Sequence, residues 1–161
     1  MERAGIKVAG AAAAVVVAIA AGCGGGGGGN DRLSKSEYEH ELNAEGNQLS
    51  AAFSAVQLDT TSNVDELSTK LTKLEGELDK SGTSLENLQP PEEAEADNQK
   101  IADILHRLAD KFGELKGAAK AKDQKKMQQL SQEVSTILQE GQAVAQDLKD
   151  KGYDVGELGS N

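Results

Sequence analysis

The sequence predicts an all-α protein, an up-down-up-down four-helix bundle, and three observations carry that prediction. Apolar residues between Ser34 and Lys151 recur in alternating steps of three and four, the period of one helix face. No stretch in this interval alternates apolar and polar residues as a half-buried strand does. The only two prolines, Pro90 and Pro91, are adjacent, so nothing inside the expected helices removes a backbone donor.

The first helix is expected from about Ser34 to Gln57. Its inward stripe is Tyr38, Leu42, Leu49, Ala52, Phe53 and Val56. Ser34 followed by Glu37 forms a capping box, in which each side chain satisfies the other's backbone N–H. Asp59 to Ser62 forms the connection, with Ser62 and Asp65 suited to cap the next helix.

The second helix is expected from about Asn63 to Leu88, with Val64, Leu67, Leu71, Leu74, Leu78, Leu85 and Leu88 inward and Ser81 at the missing step. Its three-four spacing is the geometry of helices packed at about 20°. Ser81-Gly82 weakens the pattern and marks a place for a kink or break.

Proline is tolerated in the first turn of a helix, and Glu92, Glu93 and Glu95 then meet the positive end of the helix dipole. The third helix therefore starts at about Pro91, buries Ile101, Ile104, Leu105, Leu108, Phe112 and Leu115, and fades near Ala121. Asp123 caps the fourth, whose stripe is Met127, Leu130, Val134, Ile137, Leu138, Val144, Ala145 and Leu148, with Gly141 at one buried step. Gly152 suits a C-terminal cap. Short connections favour antiparallel neighbours.

The N-terminus has the three parts of an export signal. Arg3 and Lys7 give a positive start, Val8 to Ala21 is an unbroken run of apolar and small residues, and Ala20-Ala21-Gly22-Cys23 ends it. The run reaches about 21 Å as a helix at roughly 1.5 Å per residue, short of a bilayer core of about 30 Å. Cys23 is the single cysteine of the chain, so no internal disulfide can form. Gly24 to Gly29 follow as a glycine run, which behaves as flexible coil.

Ala20-Ala21-Gly22-Cys23 resembles the lipobox of bacterial lipoproteins, with Ala20 standing where that family most often has leucine. The resemblance covers residues 1–23. It implies cleavage between Gly22 and Cys23 and a diacylglyceryl group on the Cys23 thiol, hence a lipid anchor in the cell membrane with the domain outside the cytoplasm. Full acylation anchors stably, because each buried methylene contributes about 0.8 kcal/mol. The expected organisation is a signal peptide over 1–22, a lipidated cysteine and glycine-rich tether over 23–33, a bundle over 34–152, and a short, loosely held tail over 153–161.

Composition excludes several classes. Net charge is −10, against the basic balance of nucleic-acid binders. Tyr38, Phe53, Phe112 and Tyr153 are the only aromatics, too few for a stacking platform. No Gly-x-Ser-x-Gly, His-Glu-x-x-His or phosphate-loop pattern occurs, so the chain is not expected to be an enzyme or to carry a cofactor.

Two constellations invite a test. Glu37-Tyr38-Glu39-His40 and Asp103-Ile104-Leu105-His106 have the spacing of carboxylate–histidine ligands in di-metal bundles. Helical phase opposes that role. At about 100° per residue His40 lies roughly 200° from Tyr38, and His106 and Asp103 lie roughly 140° and 200° from Ile101. These residues are expected to face solvent, and no metal site is expected. Lys116, Lys120, Lys122, Lys125 and Lys126 cluster around the third turn. Dipole complementarity explains the members that end the third helix, but Lys125 and Lys126 begin the fourth and fall outside it. The cluster is a candidate contact for an anionic partner at the end opposite the tether. Glu86, Glu92, Glu93, Glu95, Asp147, Asp150 and Asp154 make the tether end acidic.

The expected role is a non-enzymatic interaction or structural module of the cell envelope, with another envelope protein as partner. The alternative is a small hydrophobic ligand held between helices, for which Glu45, Ser81 and Gly141 on apolar stripes are the candidate cavity markers.

Overall fold

The computed structural model describes residues 32–56 and 64–156. The expected signal peptide, Gly22, Cys23 and glycine run lie outside the described residues, as do Gln57 and the connection through Asn63. Four helices follow one another: α1 (Lys35–Ala55), α2 (Val64–Glu86), α3 (Glu95–Ala121) and α4 (Gln124–Asp150). A short 3₁₀ turn over Glu92–Ala94 leads into α3. No strand occurs among the described residues. None of their helices is long and apolar enough to cross a membrane.

The bundle is up-down-up-down. Cross-helix pairs run in opposite order along α2 and α3, with Glu75 meeting Lys116 and Asp79 meeting His106. The same reversal relates α3 to α4, where Arg107 meets Glu140 and Glu114 meets Lys126. The α2–α3 pair is the most closely packed. One end of the bundle, here the near end, therefore holds the start of α1, the α2–α3 turn and the end of α4. The far end holds the end of α1, the start of α2 and the α3–α4 turn.

Local sequence sets each boundary. The Ser34 hydroxyl accepts from the Glu37 N–H at 3.4 Å, and the Ser34 N–H donates to the Glu37 carboxylate at 2.8 Å, which completes the capping box. Asp123 caps α4 by accepting from the Lys126 N–H at 3.0 Å. Pro91 precedes the 3₁₀ turn, so α3 proper begins four residues later than the proline alone suggests. At the end of α4, Gly152 has φ 82°. Its N–H donates to Lys149 O at 2.8 Å, and the Tyr153 N–H donates to Leu148 O at 2.9 Å. This pairing is the Schellman closure that a left-handed residue makes possible. The end of α3 closes the same way around Lys122, at φ 55° and ψ 30°. There the Lys122 and Asp123 N–H groups donate to Ala119 O and Ala118 O.

The core follows the expected stripes, with three corrections. Tyr38, Leu42, Leu74, Leu78, Leu85, Leu105, Leu108, Ile137, Val144 and Leu148 are buried together. Leu138, placed on the α4 stripe, is 41% exposed while its neighbour Ile137 is 3% exposed. Adjacent residues lie about 100° apart on a helix, so only one of the two can point inward. Phe53 and Val64, at 36% and 40% exposure, mark where the core thins at the far end.

The second correction concerns Ser81-Gly82. α2 runs through these residues without a break to Glu86, and both are buried. Gly82 serves close approach: a Cβ there would sit 2.7 Å from His106 Nε2, so the missing side chain makes room for the ring. The third concerns the tail. Tyr153 and Val155 are 3% and 0% exposed, and both belong to the main core cluster. The segment just past Gly152 is a clasp, not a loose end. The Tyr153 ring meets the Tyr38 ring edge-on at 5.8 Å. Asn43 Nδ2 donates to Asp154 O at 3.1 Å, and the Asp154 N–H donates to Glu39 at 2.9 Å. The clasp thus ties the end of α4 to α1.

Candidate functional site

The lysine cluster divides once the helices are packed. Lys116 reaches across to α2 and binds Glu75 at 2.6 Å. Lys126 bridges the turn to Glu114 at 3.2 Å, and Glu114 also holds Lys111 at 2.7 Å. Hydrogen bonds from Lys111 and then Lys126 keep the Glu114 carboxyl below its ordinary range. These two lysines are therefore spent on joining helices. Lys120, Lys122 and Lys125 are exposed, and no carboxylate among the described residues pairs with them. Lys122 sits between the other two, in the left-handed conformation that turns the chain from α3 into α4. The candidate contact reduces to these three at the far tip.

The histidine motifs come apart. Glu37 is spent on the capping box and His40 is exposed. Asp103 is exposed and lies 3.6 Å from Arg107. His106 departs from the solvent-facing expectation, with its side chain 29% exposed over Gly82. Its Nδ1 lies 2.8 Å from Asp79 and its Nε2 3.5 Å from Glu86, so the ring pins α3 to α2 between two carboxylates. The α2–α3 contact face is wider than the α3 apolar stripe because Gly82 opens a slot beside it. Among the described residues, no group of three histidine, cysteine, aspartate or glutamate side chains is placed to hold a metal ion.

The near end holds a polar network that the apolar spacing did not reveal. Asp97 and Asn98 are each 2% exposed in the first turns of α3. Asn98 donates to Leu85 O at 2.8 Å, closing the end of α2, and accepts from the Tyr38 hydroxyl at 3.2 Å. Asp97 binds Lys151 at 2.6 Å and Lys100 at 3.2 Å. Burial alone would raise the Asp97 carboxyl, but the hydrogen bonds from Lys151 and Lys100 outweigh it and hold the group below its ordinary value. The Tyr153 hydroxyl donates to Glu93 at 2.9 Å. Burial, then the Glu93 carboxylate, pushes the Tyr153 phenol up to about 12. Burial, then the nearby Asp97 charge, also raises the Tyr38 phenol above its ordinary value. Arg32 donates to Pro90 O at 2.8 Å and to Glu95 at 2.7 Å, and the Leu33 N–H donates to Gln89 O at 2.7 Å. Through these bonds the chain enters the bundle fixed to the α2–α3 turn. The run of acidic residues at this end is thus interleaved with cations.

Surface clefts among the described residues flank the bundle. One of about 330 Å³ is walled by the Arg107, Lys111, Glu114 and Glu133 ion pairs between α3 and α4. Another, about 430 Å³, lies at the near end beside Arg32, Pro90, Glu95 and Asn98. Neither includes the expected cavity markers. Ser81 is buried, Glu45 is half-buried, and a Cβ on Gly141 would lie at an ordinary packing distance, 3.7 Å, from Ile104. No protein-family model matches the chain, and neither curated proteins nor solved structures give a significant match.

Proposed function

We propose that the protein is a lipid-anchored component of the cell envelope, and that its helical domain is a non-enzymatic interaction module held outside the cytoplasmic membrane. The observation that carries this reading is the position of Cys23, the one cysteine of the chain, directly after a charged start, an apolar run and two small residues. A lone unpaired thiol in an exported protein calls for a chemical role, and lipidation supplies one. The glycine run after it serves as a leash. The bonds of Arg32 and Leu33 to the α2–α3 turn support an attachment through the near end, which leaves the far tip available to a partner.

Several ionisable groups of the domain bridge helices, as in Arg107 with Glu140 and Lys151 with Asp97, which supports a structural use of charge. Membrane fractionation with a lipid label, comparing wild type with Cys23→Ala, tests the proposal. Label on the membrane-bound wild type and its loss from the variant is the expected result. An unlabelled, soluble wild type would refute the anchor and leave a secreted domain with a free thiol.

A further inference from the structure

We propose that the far tip, through Lys120, Lys122 and Lys125, is a docking point for a linear, hydrated polyanion, a polymer of repeated phosphate groups. The proposal deepens the interaction-module reading and rests on it for location only. Charge supplies the first argument. The chain carries a net charge of −10, yet these three exposed lysines gather at one turn and meet no carboxylate among the described residues, while their neighbours Lys116 and Lys126 are neutralised. At the same end Glu66 is drawn to Lys70, and Asp123 is committed to capping α4. The acidic remainder of the surface repels a polyanion, so only a tip-first approach is favourable.

Backbone conformation supplies the second. The α3–α4 turn places a left-handed residue at position 122, where glycine costs least and a side chain is strained by about 1 kcal/mol or more. The same closure at the end of α4 uses Gly152. Lys122 keeps a cation at the apex of the turn at the expense of local strain, and strain of this kind concentrates where a side chain is used.

The chemistry of the tip selects the partner class. Protein interfaces have cores rich in aromatics and arginine and poor in lysine, and residues 116–128 contain no aromatic and no arginine. A lipid surface rewards apolar side chains that enter it, but in the α3–α4 turn Ala118 and Ala119 are buried and Met127 is half-buried, and the exposed Phe53 and Val64 of this end belong to α1 and α2. Lysines on flexible stems act as point charges without the planar fork that reads a single phosphate or carboxylate. Three such charges on a convex turn suit a flexible chain of anions that needs no pocket.

The test uses the full chain in neutral detergent and immobilised inorganic polyphosphate as probe. Binding is expected at low salt. Its affinity should fall roughly tenfold to twentyfold between about 50 and 200 mM salt, as three contacts to a single-stranded polyanion require. The triple variant Lys120→Gln/Lys122→Gln/Lys125→Gln should lose at least tenfold at low salt with an unchanged helical circular-dichroism spectrum. A matched variant, Lys73→Gln/Lys80→Gln/Lys149→Gln, makes the same change in net charge at exposed lysines elsewhere and should retain binding. Absence of wild-type binding, or equal losses in the two variants, would overturn the proposal. So would equal competition from mixed micelles of the same detergent with phosphatidylglycerol, which would assign the tip to a lipid surface. None of these outcomes depends on whether Cys23 carries lipid.

Discussion

The two ends of the bundle solve opposite problems. At the near end four chain segments converge: the start of α1, the α2–α3 turn, the end of α4 and the clasp after it. Their polar groups are paired inward, with Tyr38, Asn98 and Asp97 nearly without solvent contact. At the far end the core thins to half-exposed Phe53 and Val64, and lysines project outward from a turn that holds a strained residue. Both ends use charge to join segments, but the far end also keeps Lys120, Lys122 and Lys125 with no carboxylate partner among the described residues. An end that is joined resists change, and an end that is left open can meet something else.

The largest expected effect that separates the ends is alkaline unfolding. The chain has two tyrosines, and both sit in the near-end cluster. Tyr153 is raised to about 12 and Tyr38 is raised as well, each above the ordinary value near 10. A folded-state value above the unfolded one means the native state holds its proton longer. The contribution is therefore complete below about pH 10 and is lost as pH rises through the folded values. Phenolate absorbance should appear in one cooperative step, together with the loss of helical circular dichroism. A phenolate signal at about pH 10 with the helices intact would show that the near end is open.

Next in size is a comparison within α1 itself. Tyr38→Ala removes a ring with 0% exposure and should cost about 3–5 kcal/mol by chemical denaturation. Phe53→Ala, near the other end of the same helix, removes a ring that is 36% exposed and meets Phe112 at 6.1 Å. It should cost about 1–1.5 kcal/mol, because much of the ring already lies in water. Equal costs would mean that the far end is as well packed as the near end.

Asn98 sharpens the same contrast at a smaller scale. Asn98→Ala leaves the Tyr38 hydroxyl without its partner and the Leu85 carbonyl with the Leu88 N–H alone, and should cost about 1–3 kcal/mol. Adding Tyr38→Phe to Asn98→Ala removes one of the orphaned groups, so the double variant should lose less than the sum of the single ones. Strict additivity would show that the two side chains do not share a bond.

How legible these regions are in the sequence depends on which physical signal they carry. Periodicity placed Leu74, Leu78, Leu105 and Leu148 in the core, and cap chemistry placed Ser34, Asp123 and Gly152 at helix ends, because each depends on neighbours within a few residues. Asp97 and Asn98 were missed because a polar residue near a helix start reads as solvated unless its distant partners, Lys151 and Tyr38, are known. Gly82 read as a weakness in α2, since nothing local shows that His106 fills the space above it. Tyr153 and Asp154 read as a tail because their partners, Tyr38 and Asn43, lie in α1, more than a hundred residues earlier in the chain. The five-lysine cluster was visible, but only the cross-helix pairs to Glu75 and Glu114 reduce it to three.

The smallest expected effect compares one helix ending with another. Gly152 and Lys122 occupy the same left-handed position in the same pair of closing hydrogen bonds, one at each end of the molecule. Gly152→Ala should destabilise by about 1 kcal/mol, since a side chain is strained there and its Cβ would come within 3.3 Å of Lys35 Nζ. Lys122→Gly should act in the other direction, raising stability by about 0.5–1 kcal/mol in thermal or denaturant unfolding. A stabilised Lys122→Gly protein would show that the far turn carries its lysine against the interest of the fold. If the same substitution also weakens polyphosphate binding, stability and contact are set against each other at one residue. A destabilised Lys122→Gly protein would mean that the lysine stem packs on the turn, and the strain argument for the tip would lose its basis.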